Sequence, residues 1–420
     1  MTQRARFVET AQRLVGAPRE KFGFFFYLLL IYLFFEYGRP SRPMGIPMLI
    51  SSVSLGGWFL RTEKRWTPQI TGFLAFVVVM AVGIPLAANG YAAFWETYGM
   101  AVTLLTICAP LPSLVTSVRR IKLWSYAFLA VVLYVGGWAA FNGGYGPSAA
   151  SGGQDENYIA AMMGMAIPFA YFAIFIAKRR VIKVLLALFI VVFLAAIIAG
   201  QNVSRGGFVG LCSVFVYCVL RSPRKWLGLG LGALMAFVVL AFAGSAYWAD
   251  ISTITDTSEG TADMRLEVWA CGLRMFAAHP VLGVGPGNFR WVISDYESAE
   301  QFAKYGRDLG GSIIAHSLFI ELLAELGIAG ATVLGVVLWR TLRDLVRITR
   351  SGVGVSTVMD RGKATELRAY ADAVVASILA CLVNGVFLSL LYYSYIWILM
   401  AVGSAITAVY RDNVVTQRIT

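Results

Sequence analysis

Residues 157–177 read NYIAAMMGMAIPFAYFAIFIA, with no Asp, Glu, Lys or Arg among them. At 1.5 Å of rise per residue, a helix of this length covers the ~30 Å hydrocarbon core of a bilayer. Asp155-Glu156 precede it and Lys178-Arg179-Arg180 follow it. Working outward, windows 66–95, 97–118, 123–154, 184–204, 226–249 and 373–410 are equally free of charge, and the last is long enough for two spans. Of the 420 residues, 58% are apolar and 14% charged. A soluble domain is about half apolar and roughly a quarter charged. These figures exclude a soluble enzyme, a disordered chain and a disulfide-rich secreted domain. The fold class is all-α: a polytopic transmembrane helical bundle of about 12 spans, with a helical loop on the outer side. Spans are expected near 23–37, 43–60, 68–89, 92–113, 124–141, 158–177, 182–200, 206–220, 226–246, 316–339, 371–388 and 391–410.

With these spans, 27 of the 35 Lys and Arg residues fall on the side that holds the N-terminal segment and the loops after even-numbered spans. The side rich in Lys and Arg is cytoplasmic, so both termini are placed inside. Much of the net charge of +12 then serves orientation and contact with anionic lipids, and no nucleic-acid partner is expected. The organisation is a cytoplasmic segment 1–22, spans one to nine over 23–246, a large outer loop 247–315, three spans over 316–410 with a cytoplasmic loop 340–370, and a tail 411–420. The stretch 4–15 places Phe7, Ala11, Leu14 and Val15 on one face, consistent with an interfacial helix or a frayed tail. No cleaved signal peptide is expected. Cys108, Cys212, Cys218 and Cys381 fall inside spans and support no disulfide framework.

Eight basic residues face outward: Arg39, Arg42, Arg205, Arg265, Arg274, Arg290, Lys304 and Arg307. Only 15 uncharged residues separate Arg205 from Arg221, about 22 Å of helix. Arg205 is therefore expected at or below the outer membrane surface, where an ionisable group is a functional candidate. In the outer loop, Thr261 is a candidate cap for a helix through 264–278 that ends at His279-Pro280, where Gly283, Gly285 and Gly287 force a turn. His316 is expected to open the tenth span, at a depth where an imidazole can take a proton. His279, before a proline at a helix end, fits a capping role. Glu321 and Glu325 are expected either to partner outward arginines or to sit among headgroups. The sequence has no nucleophile elbow, zinc-protease motif, phosphate loop or Asp-x-Asp pair, so no metal or cofactor is expected. Arginines around an outer cavity suit a lipid-linked phosphate, since the guanidinium fork matches phosphate oxygens and keeps its charge.

Three blocks resemble the O-antigen ligase and polymerase superfamily, bacterial membrane proteins that act on undecaprenyl-diphosphate-linked glycans. They are Ser204-Arg205-Gly206-Gly207; Arg265-x-x-x-Trp269 with His279-Pro280-x-x-Gly283-x-Gly285-Pro286-Gly287-Asn288-Phe289; and His316-Ser317 with Glu325-Leu326-Gly327-x-x-Gly330. Asp155-x-Asn157 also resembles the family. Ser317 departs from it, because members often carry Asn there. The resemblance implies a glycosyltransferase of the inner membrane with its site facing the periplasm, an undecaprenyl-diphosphate glycan donor and a lipid A core or other glycan acceptor. It implies that Arg205 and Arg265 neutralise the diphosphate. His316 would handle the acceptor hydroxyl, with inversion at the anomeric centre. Arg274, Arg290, Asp155 and Asn157 are further candidates for holding diphosphate or glycan. A polymerase or a protein O-glycan ligase of the same superfamily fits the same motifs. A flippase or transporter is the alternative from another class; those folds commonly have inverted repeats and broken central helices, and the sequence reading finds neither. The charge division makes one test direct. Reporter fusions after Arg180 and within 290–305 are expected to report opposite sides of the membrane, and equal signals would break the twelve-span topology.

Overall fold

The computed structural model describes residues 22–39, 46–147, 155–198, 205–244, 248, 260–300, 313–350 and 360–419. Among them every regular element is a helix. In chain order these are α1 (Phe24–Leu33, running on as a π turn Phe34–Gly38), α2 (Ile46–Phe59), α3 (Pro68–Gly83), α4 (Gly90–Ala101, extended by a π segment Val102–Cys108), α5 (Val118–Phe141), α6 (Glu156–Ile176) and α7 (Arg180–Ile198). They continue as α8 (Arg205–Arg221), α9 (Lys225–Phe242), α10 (Gly260–Ala278), α11 (Leu318–Arg350), α12 (Arg361–Asn384) and α13 (Ser394–Ile419). Six described helical stretches are long and apolar enough to cross a membrane: Pro68–Leu86, Gly90–Leu114, Val118–Phe141, Glu156–Ile176, Leu318–Arg350 and Ser394–Val414. Shorter apolar helices accompany them at Phe24–Gly38, Ile46–Phe59, Gly206–Arg221 and Lys225–Ala241. The stretch 4–15, Arg42, Gln201–Ser204, Lys304 and Arg307 lie outside the described residues.

The charge-free stretch 157–177 becomes α6, the centre of the bundle. Nearly all of it from Tyr158 to Ile174 is buried, as expected of a helix apolar on every face. It packs against α5, α7, α8 and α12. The Asp155 carboxylate starts it by accepting from the amides of Asn157 and Tyr158, both at 3.0 Å, a side-chain cap on otherwise unpaired amides. At the opposite, basic end, Arg221 of α8 pairs with Asp372 of α12 at 3.0 Å, and Asp344 of α11 accepts from Arg411 of α13 at 3.2 Å. The segment 340–370, read as a loop, is largely helical, with α11 running to Arg350 and α12 starting at Arg361. The outer-loop helix begins at Gly260, so Thr261 lies inside α10 rather than capping it.

The sequence reading found no broken helix, and α11 is one. Gly327 sits at φ 57°, ψ −157° within it. A side chain disfavours this backbone, which is why glycine holds it. The break frees backbone groups that must find partners inside the protein. The loop after α10 supplies them. The amides of Ile328 and Ala329 donate to the carbonyls of Pro280 (2.9 Å) and Val281 (3.1 Å), and the amides of Val284 and Gly285 donate to the carbonyls of Ala324 (2.9 Å) and Glu325 (3.0 Å). The contact is backbone against backbone: a Cβ on Gly283, itself at φ 67°, would stand 2.2 Å from the Glu325 carbonyl carbon.

The Glu325 side chain completes the joint. Its carboxylate accepts from the amides of Gly287 (2.6 Å) and Phe289 (2.8 Å) and from the Tyr392 hydroxyl. Glu321, also buried, accepts from the Leu391 amide at 3.3 Å. Both glutamates thus serve backbone amides, where arginine partners or headgroup exposure were expected. Glu325→Ala is expected to lower the thermal unfolding midpoint in detergent, because each buried amide left without its acceptor costs about 1–3 kcal/mol. Glu325→Gln, which keeps an acceptor oxygen, should lose less. An alanine variant melting with the wild type would show that the loop is held by other means.

Candidate active site

Arg265 and Trp269 stand four residues apart on α10, one above the other on the same face. The Trp269 indole Nε1 donates to the Ala315 carbonyl at 3.0 Å. That bond fixes the chain immediately before His316, so Arg265, one turn earlier, lies beside the imidazole. Beneath this face a small second core gathers Val268, Cys271, Met275, Phe289, Ile293 and Ala324. It joins α10, the glycine loop and the first turns of α11 into one unit.

The sequence reading has His316 opening the tenth span. It instead precedes α11, in the left-handed region at φ 47°. Its neighbours pin it on both sides. Ala315 is held by Trp269, and the Leu318 amide donates to the Gly385 carbonyl at 2.7 Å. Ser317 then starts the helix: its carbonyl accepts from the Glu321 amide at 2.9 Å and its hydroxyl lies 3.5 Å from the Ile320 amide. Ser and Asn are near-equivalent in such capping positions, which accounts for Ser317 where relatives of the resemblance carry Asn.

Three groups from distant parts of the chain come within electrostatic reach of one another here. Burial holds the His316 imidazole below its ordinary pKa, the nearby Arg265 guanidinium lowers it further, and the Asp155 carboxylate acts in the opposite direction. At neutral pH the ring is therefore uncharged and able to accept a proton. Arg205 is the first residue of α8; its side chain lies outside what the structure describes. The backbone beside it is close-packed, since a Cβ on Gly206 would come within 3.1 Å of Phe387, and one on Gly210 within 2.1 Å of Asn384. Arg205-Gly206-Gly207 thus starts α8 against the α12–α13 connection, the same connection whose Gly385 carbonyl binds Leu318 and whose Tyr392 binds Glu325.

Other candidates lie apart. Arg274 is nine residues from Arg265, two and a half helical turns, and so on the opposite face of α10. Its Nη1 donates to the Tyr296 carbonyl at 2.6 Å. Arg290 is exposed and near enough to Glu96 to interact with it electrostatically. Asn157 is the second residue of α6, with its amide on Asp155. His279 is exposed at the end of α10, where its amide donates to the Met275 carbonyl at 2.9 Å and its carbonyl accepts from Gly283 at 3.0 Å. Among the described residues no three His, Cys, Asp or Glu side chains gather as a metal site.

The sequence reading missed the tyrosines of the α12–α13 connection. Tyr393 stacks on Tyr158 of α6 with centroids 4.6 Å apart, and the Tyr158 hydroxyl donates to the Ser389 carbonyl at 3.2 Å. The only local signal was the cluster Tyr392-Tyr393-x-Tyr395 at the outer end of two expected spans.

With this geometry in place, comparison with known families is informative. The O-antigen ligase family model matches residues 194–335, a stretch that runs from just before Arg205, through Arg265 and the glycine loop, to His316 and the break in α11. That segment is similar to the O-antigen ligase family, and the three motif blocks that resemble the superfamily all fall within it. No curated protein matches the chain.

The electrostatics of the cluster are open to direct titration. The His316 imidazole, followed by NMR in detergent, is expected to titrate below the ordinary value of about 6.5. Arg265→Gln removes a lowering influence and should move the titration up. Asp155→Asn keeps a capping side chain, removes a raising influence and should move it down. A midpoint unmoved in both variants would separate the three residues.

Proposed function

We propose that this chain is a glycosyltransferase that moves a glycan from undecaprenyl diphosphate to an acceptor hydroxyl, on lipid A core or a related glycan. The observation that carries the reading is that Arg265 and Asp155 both act electrostatically on an uncharged His316, with Arg265 and His316 inside the segment matched by the O-antigen ligase family. We place the site on the periplasmic side of the bacterial inner membrane, with both termini cytoplasmic, from the division of Lys and Arg.

In this reading Arg205 and Arg265 bind the diphosphate. Negative charge grows on its oxygen as the bond to the sugar breaks, and fixed guanidinium donors stabilise that charge without rearranging. His316 accepts the proton of the acceptor hydroxyl as its oxygen attacks the anomeric carbon, and direct displacement inverts that centre. Arg265 contributes twice, because it binds phosphate and also keeps His316 in the uncharged form that can act as a base. Asp155 orients the ring and stabilises the imidazolium once the proton has moved. Arg274 and Arg290, away from this cluster, are left to the longer glycan.

Purified protein supplied with donor and acceptor in detergent tests the proposal, since no membrane need be crossed and a transporter would do nothing. Arg265→Ala and Arg205→Lys are expected to lose about 10²–10³ in rate; the lysine keeps charge but not the two-pronged donor. His316→Gln, which can hydrogen-bond but not take a proton, should lose about 10²–10⁴. His279→Ala should retain most activity. Near-normal rates in the arginine variants at matched expression would move the site elsewhere, and a fast His316→Gln enzyme would remove the general base.

A further inference from the structure

Two described residues other than glycine have a positive φ: His316 and Arg39, the latter at φ 37°. Such backbone costs on the order of 1–3 kcal/mol and persists where the surroundings enforce it, commonly at functional sites. The two residues share one end of the bundle. The Arg39 guanidinium lies 5.7 Å over the Tyr393 ring, and Tyr393 stacks on Tyr158 at 4.6 Å. The Tyr158 amide is held by Asp155, whose charge reaches His316. Tyr393, Tyr158 and Asp155, from two segments of the chain, thus lie between Arg39 and the imidazole.

Arg39 also has donors to spare. Of the five N–H groups of a guanidinium, the Nε group donates to the Glu36 carbonyl at 3.3 Å. The Glu36 carboxylate itself accepts from the Tyr32 hydroxyl at 2.9 Å. Among the described residues no carboxylate pairs with Arg39, and both Arg39 and Tyr393 remain partly exposed.

Its position relative to the donor arginine is informative. α6 packs against α8 and also against α5, and those two helices make little contact with each other. Arg205 starts α8, whereas Arg39 follows the π turn Phe34–Gly38 that packs on α5. Direct displacement with inversion brings the nucleophile to the face of the sugar opposite the leaving group. If the diphosphate sits at Arg205, the incoming acceptor lies on the Arg39 flank.

We infer that Arg39, with Tyr393 and Tyr158 beneath it, forms an acceptor subsite that takes an anionic substituent, a phosphate or a carboxylate on the acceptor glycan. The inference rests on the transferase reading. Arg39 acts in it as a specificity residue: its planar fork takes two oxygens of the anion, and the ring beneath fixes the plane of the fork.

The test compares three acceptor glycans that differ only in one substituent, which is neutral, a carboxylate or a phosphate. The quantity read is the ratio of kcat/KM for each charged acceptor to that for the neutral one. Arg39→Gln is expected to lower that ratio about tenfold to a hundredfold for at least one charged acceptor, the size of a lost charge-assisted contact. Which acceptor loses most identifies the anion. Arg39→Lys should restore part of the ratio. A ratio that Arg39→Gln leaves at the wild-type value overturns the subsite, as does an equal loss on all three acceptors. Calorimetric binding of the same acceptors without donor separates this from the transferase reading. If wild-type protein transfers to none of them, the proposed function fails; charge-dependent binding lost in Arg39→Gln would still support the subsite, and its absence would sink both.

Discussion

A helix that breaks inside a membrane protein leaves amides and carbonyls that water cannot reach, and each must be paired within the chain. In α11 that break is at Gly327, and the pairing comes from the loop that follows α10. Four backbone hydrogen bonds cross between 280–285 and 324–329. The Glu325 carboxylate adds two more from Gly287 and Phe289. The loop is anchored on its other side as well. The Asn288 side chain accepts from the Asn89 amide at 2.7 Å, at the start of α4, and donates to the Pro286 carbonyl at 2.9 Å. The glycines allow backbone to approach backbone, and the break gives that backbone unsatisfied partners.

The site inherits its geometry from this joint. With the glycine loop seated in α11, α10 is held against the first turns of the same helix, and Trp269 reaches the Ala315 carbonyl. Arg265 then falls beside His316, and α6 brings Asp155 to the same point. The α12–α13 connection closes the arrangement by binding Leu318 through Gly385 and Glu325 through Tyr392. Burial and the fixed arginine both disfavour the protonated ring, so together they keep the histidine uncharged.

Much of this was legible in local sequence. Charge-free windows locate the helices because a bilayer-length run without a charge has few alternatives. The end of α10 at His279-Pro280 is likewise a local matter, as proline lacks the amide and glycines follow. The resemblance singled out Arg265 and His316 for separate roles; that Arg265 acts on the His316 ring follows from the fold, where Trp269 of the same helix holds Ala315. What stayed hidden depends on contacts between distant segments. Gly327 reads as one tolerated glycine in an apolar helix, because only the loop at 280–289 makes a break favourable. Glu325 reads as a costly charge until the amides of Gly287 and Phe289 are brought to it. Arg274 reads as an equal of Arg265 in composition, yet half-integral helical spacing turns it to Tyr296. Arg39 and Tyr393 are separated by most of the chain, and nothing near either one announces the other.

Amide hydrogen exchange across the joint tests this account most directly. If the glycine loop fills the break, the amides of Val284, Gly285, Ile328 and Ala329 in the native protein will exchange as slowly as those of the adjoining helical turns of α11, each held by a carbonyl on the other side of the joint. Exchange of these amides at the rate of an open loop, while the rest of α11 stays protected, would mean that the break is unfilled and that Arg265 is brought to His316 by something else.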